Sequence, residues 1–279
     1  MLKIWSTTAS CGARSLFGLL VVMGLLCLVG CHPKEETFED ALTLKFVFDV
    51  DGRLFTPGEN YVNAAGNTYE IEEIKFFISD VRLIKKGGGE VKITDNESVH
   101  YVDYDIPATL SWKLHEPLPA GEYMALAFTV GLSEKDNVSH RFPNPPESNM
   151  SWPEPLGGGY HYMQINGKWQ SAGEMKPFNL HTGIGQLYDS EGNVTEYVHN
   201  DFRVYLPFSE CDPLTPCVIS AKPVFVNVRM SINRWFTSPH DYDFEVWGGS
   251  IMQNQQAQQI IKENGQDVFS AFGGSYTSK

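Results

Sequence analysis

Two histidines stand twenty residues apart, each in a stretch typical of a β-strand. His161 lies in the predicted strand Tyr160–Asn166, whose period of two places it on one face with Met163. His181 ends the predicted strand Pro177–His181, which we expect to be the antiparallel neighbour of the first. Two imidazoles beside a thioether suit copper, especially Cu(I), better than a hard cation. The pattern predicts a metal site; two histidines that only hydrogen-bond within the fold are the alternative interpretation.

Motifs of the common enzyme classes do not occur in the sequence. It has no Gly-x-Ser-x-Gly, His-Glu-x-x-His, P-loop or Cys-x-x-Cys-His pattern. The acidic run Asp49-Val50-Asp51-Gly52 looks like a fragment of a calcium loop but lacks the remaining ligands, so we interpret it as a turn. We therefore expect a protein that is not an enzyme.

The N-terminus has the layout of a bacterial export signal. Residues 16–30 are nearly all apolar, a stretch that is short for a membrane span and typical of a signal peptide. The segment ends in Leu28-Val29-Gly30-Cys31, which resembles the lipobox of bacterial lipoproteins. We predict that residues 1–30 are removed, that Cys31 carries the lipid, and that residues 31–41 form a polar tether. Because His32 follows the cysteine rather than aspartate, we expect an outer-membrane lipoprotein of a Gram-negative bacterium, facing the periplasm or the cell surface.

Charge and cysteine usage restrict the partners and the redox state. The formal net charge of −13 gives no electrostatic reason to bind nucleic acid. Outside the predicted signal peptide and Cys31, the cysteines are Cys211 and Cys217. In an oxidising compartment we expect them to form a disulfide; a metal-binding thiolate pair is the alternative.

The rest of the chain reads as short strands joined by turns, with little helix. The predicted strands are Leu42–Val50, Tyr69–Ile84, 99–103, 109–115, 121–130, Tyr160–Asn166, Pro177–His181, Val198–Leu206 and Val218–Met230. A long Pro/Gly-rich loop covers 133–159, a short C-terminal helix covers 251–263, and 268–272 is expected to add a helical turn. Residues 42–279 are thus predicted to be one all-β domain, a Greek-key-like antiparallel β-sandwich.

An ordered set of short motifs also resembles one protein family. The motifs are Asn63-x-x-Gly66-x-x-Tyr69, Ile74 to Leu83, Gly121-x-Tyr123-x-x-Leu126-x-Phe128-x-x-Gly131, Met150-x-Trp152, Gly159-Tyr160-x-Tyr162-Met163-x-x-x-Gly167-x-Trp169 and Phe178-Asn179-x-His181-x-Gly183. Together they resemble the MbnP-like copper-binding proteins over roughly residues 42–272. The metal-linked branch of that family is described by a four-cysteine motif, whereas the predicted mature chain has only Cys211 and Cys217 besides Cys31.

The resemblance implies a copper site and a maturation partner. In characterised members of the family, histidines share the metal with a kynurenine that is made from tryptophan by a di-haem protein resembling cytochrome c peroxidase (MbnH-like). By position in the motifs, His181 is the first ligand candidate, His161 the second and Met163 a further one. Trp152 is the candidate for oxidation, and Trp169 is the other motif tryptophan. The alternative function is a non-catalytic sandwich that binds a carbohydrate or a partner protein through exposed aromatics of loop 133–159.

Overall fold

The computed structural model describes residues 35–208 and 217–273, and within them Thr37 onward belongs to one compact unit. The predicted signal peptide, Cys31 and Cys211 lie outside the described residues. The strands are β1 (Thr37–Phe38), β2 (Leu42–Val50), β3 (Arg53–Leu54), β4 (Tyr61–Val62), β5 (Thr68–Lys85), β6 (Glu90–Lys92), β7 (Val99–Asp103), β8 (Ser111–Leu114), β9 (Leu118–Pro119), β10 (Gly121–Val130), β11 (Met163–Ser171), β12 (Glu174–Thr182), β13 (Ile184–Tyr188), β14 (Val194–His199), β15 (Phe202–Pro207), β16 (Cys217–Ile219), β17 (Val224–Ser231) and β18 (Phe269–Gly273).

Helical structure is confined to short segments. The α-helices are α1 (Phe244–Trp247) and α2 (Gln255–Asn264), and single 3-10 turns cover Asp95–Ser98, Pro107–Leu110, Glu147–Met150, Glu154–Leu156, Ile232–Phe236 and Gly265–Asp267. Helix α2 begins where the Asn254 side chain accepts a hydrogen bond from the Ala257 N–H, as expected of an N-cap. None of the helices in the described parts of the chain is long and apolar enough to cross a membrane.

Two sheets pack face to face, which confirms the predicted β-sandwich. The main sheet has the order β12-β11-β5-β10-β15, with β4, β6 and β7 also on β5 and β16 on β10. The second sheet has the order β18-β17-β2-β3, with β8 on β2. All these pairs are antiparallel except β2 with β17, which run parallel. Most of the chain separates those two strands, so no hairpin turn forces them to be antiparallel.

The alternation of side chains along β5 divides the domain into an inside and an outside. Ile74 and Phe76 are fully buried in the large core between the sheets. Glu73, Lys75 and Phe77 therefore point to the opposite, outer face of the main sheet. This outer face is the surface on which the histidines lie.

A second, smaller core covers part of that outer face. Its members are aromatic and aliphatic side chains from the sheet and from the long loop, namely Phe77, Val99, Tyr101, Leu132, Met150, Tyr160, Tyr162 and Ile184. The loop is held by its own backbone: the Trp152 N–H donates to the Gly159 carbonyl at 2.8 Å, and the His161 N–H to the Met150 carbonyl at 2.6 Å. The Pro/Gly-rich loop is thus an ordered cover for one end of the sheet.

Some predicted elements are wrong in type or in extent. The predicted helical turn at 268–272 is strand β18, which pairs with β17 from Met230 opposite Phe269. The short apolar run fits the period of a helix or that of a strand, and pairing with the open edge of β17 makes it a strand. The predicted strand Val198–Leu206 is divided at Asn200, whose buried amide hydrogen-bonds the Gly183 carbonyl. Thr37–Phe38, within the predicted tether, already pairs with β9.

Candidate metal centre

The outer face of the main sheet brings the two histidines together beneath the loop. The ring centroids of His161 and His181 lie 4.9 Å apart, with the ring planes at 87°. The Trp152 ring centroid lies 4.7 Å from that of His161, at 76°. Three of the residues singled out in the sequence therefore form one cluster of touching rings.

His181 is held on this face by the register of three strands. It lies opposite Gln164 in the pairing of β12 with β11, and Asn166 of β11 lies opposite Glu73 of β5. Side chains that are two apart on a strand share a face, so His181, Asn166 and Glu73 point the same way. The His181 Nε2 lies 2.8 Å from Asn166 Oδ1, and Asn166 Nδ2 donates to Glu73 Oε2 at 2.6 Å.

His161 comes from the loop just before β11 rather than from the strand. Its ring Nδ1 lies 2.9 Å from the Met150 carbonyl oxygen. Its other nitrogen, Nε2, is buried and has no hydrogen-bond partner among the described residues. Buried polar atoms are nearly always satisfied, so an unpartnered imidazole nitrogen requires an explanation. A bound metal ion supplies one, because a neutral imidazole binds metals through such a nitrogen.

Both histidines have lowered pKa values. Burial lowers the pKa of His161, and the hydrogen bonds to the backbone of Met150 and Ser151 offset this only in part. Burial, followed by the neighbouring His161, lowers the pKa of His181 to about 4. Both rings are therefore neutral near neutral pH. Because metal ligands must be deprotonated, a metal ion would not have to compete with a proton at this pair.

Glu73 keeps a negative charge beside this pair. Burial alone would raise its pKa, but hydrogen bonds from Lys75 and Asn166 outweigh burial and lower it. The Lys75 ammonium lies 2.6 Å from Glu73 Oε1. A hydrogen-bonded row therefore runs from His181 through Asn166 and Glu73 to Lys75.

Trp152 is a buried neighbour of the histidines. It is 2 % exposed, and its indole Nε1–H donates to the Leu156 carbonyl at 3.0 Å. Gly183 lies against the ring, since a Cβ at that position would be 2.7 Å from Trp152 Cε3 and 2.8 Å from Cδ2. The absence of a side chain at Gly183 is thus what lets the indole lie beside the histidines.

We expect Gly183→Ala to displace the Trp152 ring. Crowding a packed site in this way costs about 1–3 kcal/mol, so the variant should unfold at lower urea concentration and show altered tryptophan fluorescence. Gly87→Ala is the control, because a Cβ at Gly87 meets nothing within 4 Å. A Gly183→Ala protein with wild-type stability and fluorescence would contradict the tight contact.

Met163 does not join the cluster. It belongs to the large core, opposite Phe76 of β5, on the face of β11 away from Asn166. The predicted common face of His161 and Met163 is wrong because β11 begins only at Met163, so the strand period does not reach His161. Trp169 also lies elsewhere: it stacks on Phe244 with centroids 5.4 Å apart.

The structure adds residues that the sequence reasoning missed. These are Asn166, Glu73, Lys75, Gly183 and the Met150 carbonyl. Asn166 could have been found, since a period of two from Gln164 puts it on the polar face of the strand that follows His161. The Met150 carbonyl could not, because a backbone acceptor leaves no mark in the sequence.

Across residues 35–208 and 217–273, no group of three or more His, Cys, Asp or Glu side chains could hold a metal ion. Among these residues, the candidate centre is therefore the pair of histidines alone.

Two other predictions from the sequence concern the cysteines and the aromatic residues of the long loop. Cys217 is buried and has no disulfide partner among the described residues, and burial raises the pKa of its thiol to about 11. Cys211 lies outside those residues, so the predicted disulfide stays a prediction. Of the two aromatic residues in the long loop, Trp152 is buried and Phe142 is half-buried. The carbohydrate-binding or partner-binding alternative stays a prediction.

Comparison with known proteins places this architecture in a family. The family model MbnP matches residues 39–253. A solved structure, MbnP from Methylosinus trichosporium, superposes with a TM-score of 0.50 over 84 % of this chain and 98 % of that chain, at 14 % sequence identity. Such a low identity supports the shared fold alone, and a search of curated proteins finds no match. Because the family model covers most of the sequence, the chain belongs to the MbnP family.

Proposed function

We propose that this protein binds copper between His161 and His181 and is not an enzyme. The observation that carries the proposal is the buried Nε2 of His161, which has no hydrogen-bond partner in the part of the chain that the structure describes. Its ring contacts a second neutral imidazole, that of His181. Imidazole nitrogens suit copper, and Cu(I) accepts a low number of ligands. The low count of acidic side chains at the pair speaks against a hard cation such as Ca²⁺, which needs six to eight oxygens.

We further propose that Trp152 is the residue oxidised to kynurenine, by a di-haem partner resembling cytochrome c peroxidase. Its ring touches His161, so an oxidised product would lie within the same cluster. Kynurenine presents an aromatic amine and a ketone where tryptophan has only an indole N–H, so oxidation would turn a poor ligand into a usable one. The proposal for the cellular location is an outer-membrane lipoprotein anchored through Cys31, based on the lipobox in the sequence.

The test compares protein purified from its own host with protein that was made without the haem partner. We expect host protein from the outer-membrane fraction to carry lipid on Cys31, about one copper per chain, and a Trp152 peptide that has gained one oxygen and lost one carbon. Protein made without the partner should be folded but bind copper poorly. Trp152→Phe protein made with the partner should bind copper as poorly as wild-type protein made without it.

Two results would contradict the proposal. Host protein that is free of copper would remove the metal function. An unmodified Trp152 in copper-loaded protein would remove the maturation step while leaving the histidine pair as the site. Trp169→Phe is the matched control, because that indole stacks on Phe244 in another part of the sandwich and its loss should not change copper content.

A further inference from the structure

The row of hydrogen bonds behind His181 has a fixed direction. Glu73 is a carboxylate that only accepts hydrogen bonds, so the end of the Asn166 amide that faces it at 2.6 Å must be the NH₂ group. The other end, Oδ1, therefore faces His181 at 2.8 Å. Amide ends are assigned from their partners, and here the partner allows one orientation.

The direction of the amide determines the tautomer of His181. A carbonyl oxygen only accepts, so the ring nitrogen beside Asn166 Oδ1 must be a donor, Nε2–H. The lone pair of the neutral ring is then on Nδ1. His161 has the reverse arrangement, because its Nδ1 faces the Met150 carbonyl and must carry the hydrogen, which leaves the lone pair on Nε2. The two rings thus hold opposite tautomers.

We propose that Glu73 and Asn166 are positioning residues that hold His181 as the Nε2–H tautomer and so make Nδ1 its metal-binding atom. The consequence for copper rests on the proposed function, but the tautomer is a property of the metal-free protein. Neither residue touches the ion. They act by keeping one lone pair of His181 available and the other nitrogen occupied, as outer hydrogen bonds commonly do for metal-binding histidines.

Glu73 carries the directing charge in this row. Its hydrogen bond to Asn166 is charge-assisted, and such bonds are roughly twice as strong as neutral ones. Lys75 binds the other carboxylate oxygen and keeps the group in place. An uncharged glutamine at position 73 could donate as well as accept, so the Asn166 amide would be free to turn its NH₂ toward His181. The ring would then accept at Nε2 and carry its hydrogen on Nδ1.

The test is the ¹⁵N spectrum of the imidazoles in metal-free protein, together with Cu(I) affinity measured by competition. In wild type we expect Nε2–H at His181 and Nδ1–H at His161. In Glu73→Gln we expect His181 to shift toward Nδ1–H, His161 to stay unchanged as an internal reference, and Cu(I) affinity to fall about 10–100-fold. Asn166→Ala, which removes the acceptor, should loosen the His181 tautomer in the same way.

Glu72→Gln is the matched control. It makes the same change of charge on the same strand, but Glu72 is exposed and pairs with Lys168, so both readouts should stay at wild-type values. An Nδ1–H tautomer at His181 in wild type would overturn the proposal. So would a Glu73→Gln protein with an unchanged His181 signal. If the tautomer shifts as expected and wild type made with the haem partner binds no Cu(I), the positioning row stands and the proposed copper function fails.

Discussion

Alanine at either His161 or His181 should abolish stoichiometric copper binding, and the double variant should be no worse than either single one. The two rings are in contact, at 4.9 Å between centroids, so one ion would use both. Loss of an outer hydrogen-bonding group lowers metal affinity about 10–100-fold, and loss of a ligand itself should exceed that range. Copper per chain and Cu(I) competition titrations on the three variants measure the effect.

The variants should remain folded, which keeps the experiment interpretable. Both histidines lie on the outer face of the main sheet, and the large core that holds the sheets together is on the other side. Far-ultraviolet circular dichroism should therefore be unchanged. His115→Ala is the control, because that imidazole is exposed and pairs with Asp40. If each single variant kept half of the copper, or if the losses added in the double variant, the histidines would belong to separate sites.

The sequence carries the strand pattern of this domain but not the way in which its surfaces meet. Burial of one face leaves a period of two along a strand. The core side chains of β5 follow this period only in part: Ile74, Phe76 and Ile78 alternate, but Ile71 and Val81 lie three residues from the nearest of them. The same rule failed at Met163, since it was extended backwards from β11 into a loop. Where a strand begins depends on its neighbours, and His161 is placed by a hydrogen bond to Met150, eleven residues earlier.

Three members of the candidate site could be predicted from the sequence, but the way in which the site is arranged could not. His161, His181 and Trp152 could be named from motifs, and the structure brings these three together. The row through Asn166 and Glu73 was not predictable, because it depends on the register between β11 and β5. That register shifts by one residue directly after Asn166. A shift of this kind exchanges the two faces of a strand, so no alternation rule can anticipate it.

At the register shift, the close approach of β11 to β5 leaves no space for a side chain at Gly167. Asn166 lies opposite Glu73, whereas the next residue, Gly167, lies opposite Ile71. An added Cβ at Gly167 would be 2.1 Å from the Glu70 carbonyl oxygen, 2.7 Å from Phe178 Cζ and 3.0 Å from Ile71 Cα. Two of these three atoms are backbone of the central strand, which cannot turn aside as a flexible side chain can. The clash of an added Cβ with these backbone atoms can therefore be relieved only if β11 moves away from β5.

Gly167→Ala should consequently destabilise the domain by about 3 kcal/mol or more, at the upper end of the range for overpacked sites. Urea unfolding measures this, with Gly87→Ala as the control because a Cβ there meets nothing within 4 Å. Displacement of β11 would also move Asn166 away from Glu73, so the fraction that stays folded should lose the ordered His181 tautomer. Wild-type stability would show that β11 and β5 are not as close as described. Loss of stability with an intact tautomer would mean that the strain is released on the Phe178 side, where β12 rather than β5 gives way.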